Sequence, residues 1–82
     1  AMARDEFKAL KKKQSEAETR VSKLQAEIAQ IDRAMFEPSS AAPALAKLSM
    51  GELSQRRGTL ARELEQAEEA WLLAGEALEG VG

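Results

Sequence analysis

At 82 residues the chain is long enough for one small domain and too short for a large enclosed core. Charged residues make up 32% and nearly cancel at net −2, so bulk charge alone makes no case for nucleic-acid binding. Aromatics are scarce and Tyr is absent, which argues against a sheet. The chain has no His and no Cys, which excludes disulfides, zinc sites and Cys–His or Ser–His nucleophile pairs within it.

In chain order, Ala1, Met2 and Ala3 read as a cloning scar or disordered start, so the chain is expected to be an excised fragment. A first helix is expected over about 4–37, with Asp5 and Glu6 favourable in its first turn. Its organising feature is the series Phe7, Leu10, Gln14, Ala17, Val21, Leu24, Ile28, Ile31, Met35, whose steps alternate three and four. That is a coiled-coil heptad, with Phe7, Gln14, Val21, Ile28 and Met35 at a and the other four at d. A stripe so narrow needs a partner helix. Gln14 is expected half-exposed, its amide reaching water.

Lys11 and Lys13 flank this stripe while Lys12 faces outward. Together with Lys8, Arg20 and Lys23 they form the candidate nucleic-acid-binding set, since phosphate contact needs clustered cations. Glu16 and Glu18 interrupt the field, and the plainer reading is a solvated face that pairs with the acidic end of a second helix.

Pro38, Ser39, Ser40 and Pro43 mark a turn over 38–43 that no straight helix crosses. A second helix is expected from Ala44 to Glu79, continuous apart from a soft spot at Gly51. The alternative is a fresh start at Met50, because Ser49 followed by Glu52 matches a capping box. Leu45 and Leu48 fall out of phase with the seam that follows: Leu53, Arg57, Leu60, Leu64, Ala67, Trp71, Ala74, Leu78, Val81. Arg57 stands at an a position and must snorkel to the seam's edge, while Trp71 is expected to pack in the core. Gly80 and Gly82 give a flexible end over 80–82.

Two matched stripes joined by a breaker predict an all-α antiparallel two-helix coiled-coil hairpin. The expected core seam is Phe7, Leu10, Val21, Leu24, Ile28, Ile31, Leu53, Leu60, Leu64, Trp71 and Leu78. Two registers compete. If facing residue numbers sum to 81, Leu10 meets Trp71, Glu27 lies by Arg56, and the turn closes tightly. If they sum to 88, Ala17 meets Trp71, but Glu27 faces Glu63 and Glu18 faces Glu68. The flanking charges favour the first. A seam with several Ala and two polar residues predicts marginal stability, improved by a parent protein or by self-association.

Catalysis is not expected. The glycines at 51, 58, 75, 80 and 82 form no phosphate-cradling loop, and Glu63, Glu65, Glu68 and Glu69 lie on an exposed helix without the burial that tunes acids and bases. The chain therefore reads as no enzyme, with no cofactor and no small-molecule substrate. No apolar run approaches the ~20 residues that cross a bilayer, so no membrane role is expected.

The stretch Leu60-Ala-Arg-Glu-Leu-Glu-Gln-Ala-Glu-Glu-Ala-Trp-Leu-Leu-Ala-Gly-Glu-Ala-Leu-Glu79 resembles the end of the C-terminal coiled-coil domain of ABC-F ATPases. Those domains end in Leu-Glu repeats, then Glu-x-x-Trp, then a further Glu and Leu. Glu68, Trp71, Glu76 and Leu78 stand at such places. The preceding heptad helix and short Pro/Ser connector also fit, so the resemblance covers about 7–79. It implies a cytoplasmic parent with two tandem ATP-binding cassettes, whose ATP and Mg would lie outside this chain. The domain itself would be a non-catalytic arm contacting DNA, RNA, the ribosome or the cassettes. The rival reading is a structural coiled coil that forms a homodimer or docks a protein partner without nucleic acid.

Overall fold

A computed structural model describes residues 3–80. It is all-helical, with no strand among the described residues. Helix α1 spans Arg4–Phe36, a 3-10 turn covers Pro38–Ser40, a short helix α2 covers Pro43–Ala46, and α3 spans Met50–Glu79. Val81, the last expected seam position, and the opening Ala1 and Met2 lie outside the described residues. The molecule measures 55 × 17 × 14 Å. A single unbroken helix of this chain would be about 120 Å long, so the two long helices lie side by side.

The order of contacts along them is plain. The position where a Gly75 side chain would begin is 3.3 Å from the Gln14 amide nitrogen, and Arg57 reaches Asp32 at 2.6 Å. Contact positions thus fall along α3 as they rise along α1. Both pairs sum to 89, close to the register in which Ala17 faces Trp71. The register with sum 81 is overturned, since it would leave Arg57 about 12 Å from Asp32's level along the helix. Its charge pairs were worth only tenths of a kcal/mol each. They lose to the loop, which in a tight turn would have stranded two leucines.

Those leucines explain the connector. Leu45 is buried and forms one cluster with Ile31, Ala34 and Leu53, against which Met35, Ala41, Leu48 and Leu60 pack. The connector is therefore a cap over the seam's end, and Leu45 and Leu48 are out of heptad phase because they serve the cap. The expectation of one helix running on from Ala44 fails for the same reason. Helix α2 stops at Ala46, and Ser49 is extended at φ −72°, ψ 163°. The Glu52 N–H donates to Ser49 Oγ at 3.1 Å, and the Ser49 N–H donates to Glu52 Oε1 at 3.4 Å. This reciprocal cap satisfies two otherwise orphaned donors and starts α3 afresh. Continuing a helix through Gly51 would have carried its propensity cost and pulled Leu45 out of the cap.

Burial along the seam is lopsided. Ala17, Leu24 and Ile31 on α1 and Leu53, Ala67 and Ala74 on α3 are buried, and all six occupy d. Leu10 and Leu60, also at d, are half-buried. At a, Val21, Ile28, Met35, Leu64 and Leu78 are half-buried, as is Gln14. Phe7 and Trp71 depart from their expected core positions, at 37% and 38% exposed. For Trp71 the register supplies the reason: an Ala17 methyl across the seam cannot cover an indole.

Candidate interaction surfaces

The six basic residues singled out in the sequence all lie on α1 and are all exposed: Lys8, Lys11, Lys12, Lys13, Arg20 and Lys23. They do not converge. Heptad position sends Lys8, Lys12 and Lys23 outward, away from α3. Lys13 and Arg20 line one flank with Glu16, Ala17, Ala67 and Ala70. Lys11 lies at the opposite flank, its ammonium 5.4 Å from the centre of the Phe7 ring, a cation–π approach that shades part of that exposed aromatic. The outward three are the subset that one extended ligand could touch together, spread over about 22 Å of helix.

Arg57 is expected at the seam's edge. It leaves the seam as expected, but it ends on a carboxylate. Its Nε donates to Asp32 Oδ1 at 2.6 Å and its Nη2 to Asp32 Oδ2 at 3.4 Å. The hydrogen bond first, and the attraction of the charge second, push the guanidinium further above its ordinary range. Both side chains remain partly in water, so the pair's contribution is chiefly geometric: a fork fixed on a carboxylate marks one level of α1 against one level of α3. The seam-based reading of the sequence missed Asp32, which stands at e next to the a stripe. An always-charged residue at a, with a carboxylate one step outside the facing stripe, was the available signal.

On the same side, nearer the middle of the molecule, a groove of about 290 Å³ opens between the two long helices. Glu18, Val21 and Ser22 line it from α1, and Glu68, Trp71 and Leu72 from α3. These are the same three heptad positions, e, a and b, taken once from each helix. Trp71 forms an apolar wall with Val21, and Leu72 is 54% exposed at its rim. Neither Glu18 nor Glu68 takes part in an ion pair among the described residues. The seam-based reading placed Trp71 inside and had no reason to single out Leu72, which lies outside both stripes.

Catalytic machinery is a separate matter from these surfaces. Among the described residues, no group of three or more acidic side chains is placed to hold a metal ion, and no helix is long and apolar enough to cross a membrane. What the arrangement offers chemically is contact: cations on the outside of α1, and an apolar furrow with carboxylate walls on one side of the helix pair. No protein-family model, no curated protein and no solved structure matches this chain.

Proposed function

We propose that this chain is a non-catalytic accessory arm, an antiparallel coiled-coil hairpin resembling the C-terminal domain of ABC-F ATPases, that holds a nucleic acid, on or off the ribosome, against its cytoplasmic parent. The observation carrying the proposal is the outward face of α1. Lys8, Lys12 and Lys23 are exposed there on a long helix, and none takes part in an ion pair among the described residues. A rod 55 Å long suits reach better than enclosure. The family reading is supported by the sequence of the tail, where Glu68, Trp71, Glu76 and Leu78 follow Leu-Glu repeats.

Two measurements test this. Anisotropy titration with fluorescent RNA and duplex DNA should show affinity falling with salt, with a log–log slope of about −2.7 for three duplex phosphate contacts. Changing Lys8, Lys12 and Lys23 together to Glu should abolish it; unchanged binding rules out this face. For the family, an ATP-binding cassette encoded immediately upstream would support the assignment, and an unrelated neighbour would remove it.

A second reading, a structural coiled coil that docks a protein or a second copy, is favoured by one observation: Trp71, Leu72 and Leu73 are all exposed on α3. Sedimentation over a concentration range separates the two. A monomer that binds RNA supports the arm, and a dimer indifferent to nucleic acid supports the structural role.

A further inference from the structure

We infer that the groove around Trp71 is a docking site for a basic amphipathic helix, which lays an apolar stripe on Val21, Trp71 and Leu72 and places a Lys or Arg between Glu18 and Glu68. Three features of the groove argue for that occupant. First, its walls are equivalent positions of two neighbouring helices, so its floor is the furrow into which a third helix packs ridge into groove. Second, like charges face the same opening. Facing e positions of a helix pair ordinarily carry opposite charges, and Glu18 with Glu68 is a repulsive choice unless a cation comes between them. The indole beside them offers that cation a π face as well. Third, this flank of α3 repels an acidic visitor. After Arg62 every charged residue of the sequence is Glu, and of these Glu65, Glu68 and Glu79 fall at the b and e positions that wall the groove. The same acidic stretch opposes a second copy laid α3 on α3, and Lys11, the cation nearest the groove on this flank of α1, already lies over Phe7.

Trp71 is the sole Trp of the chain, so its emission reports the groove directly. The probe is a synthetic helical peptide of Leu on one face and Lys on the other, with a twin carrying Glu for Lys. The intact chain should show a saturable blue shift with the Lys peptide and none with the Glu twin. An E18Q/E68Q double variant, its helicity checked by circular dichroism, should bind the Lys peptide at least about tenfold more weakly. The inference is overturned by no shift with the Lys peptide, by equal binding of the two peptides, or by undiminished affinity of the double variant. It is also overturned if the chain alone blue-shifts with concentration while sedimenting as a dimer, which assigns the groove to a second copy. RNA binding is read through Lys8, Lys12 and Lys23, none of which lines the groove, and the peptide through Glu18, Glu68 and Trp71, so the E18Q/E68Q variant and the triple lysine reversal test the two separately.

Discussion

Two regions of the helix pair bury their apolar residues very differently. At the connector end, Ile31, Ala34, Leu45 and Leu53 close into one cluster, and Ile31 is 2% exposed. Around Trp71 the same heptad spacing leaves an indole 38% exposed and Leu72 in water. Spacing is equal in the two regions, so spacing is not what buries a side chain. The connector end has a third element, the loop carrying Ala41, Leu45 and Leu48, laid across two helices. The other region has two helices alone, and a pair of cylinders shields one line of side chains and leaves the next half-open.

Substitutions that remove one region's advantage test this contrast. The largest loss is expected from Ile31→Ala, about 3–4 kcal/mol, followed by Leu45→Ala at about 2–3 kcal/mol, both read from urea unfolding. A loop leucine that costs nearly as much as a seam isoleucine would establish the cap; a Leu45→Ala chain as stable as the parent would break the comparison. Trp71→Ala should cost less than either, about 1–1.5 kcal/mol, despite removing the largest side chain. Equal or greater loss there would mean the indole is better covered in solution. Ser49→Ala removes the reciprocal cap and should lower stability by about 1 kcal/mol, with helicity loss confined to the start of α3 by amide exchange. The smallest effects come from two glycines. Gly58→Ala meets nothing within 4 Å and should stabilise by up to about 1 kcal/mol through helix propensity. Gly75→Ala has the same propensity gain but must shift the Gln14 amide 3.3 Å away, so its rise in melting temperature should be the lesser.

Much of this architecture is legible in the chain before folding. The alternation from Phe7 to Met35 and from Leu53 to Leu78 marks two helices with one apolar stripe each, and Pro38 and Pro43 mark where the chain cannot continue straight. Ser49 and Glu52 also carried the correct start of α3, since a cap is a local interaction between residues three apart. A continuous helix from Ala44 sets aside both that cap and the propensity cost of Gly51, and it gives Leu45 no destination. The register was harder. Charge pairs along the flanks are weak, and they favoured a tight turn over one that shelters Leu45. For the surfaces, the six cations and their division among the sides of α1 follow from heptad position; the approach of Lys11 to the Phe7 ring does not. The groove was invisible because Leu72 belongs to neither stripe and Trp71 looked like core.

Local rules acting over a few residues decided which segments are helical, where they are capped and which edge of each is apolar. Those properties depend on backbone hydrogen bonding and side-chain spacing within one turn or two. How far one long helix slides along the other, and which large side chains remain at the surface, emerged only on packing. Both depend on residues well apart in the chain, where Asp32 meets Arg57 and Leu45 reaches Ile31, and no periodicity encodes which small residue will stand opposite which large one.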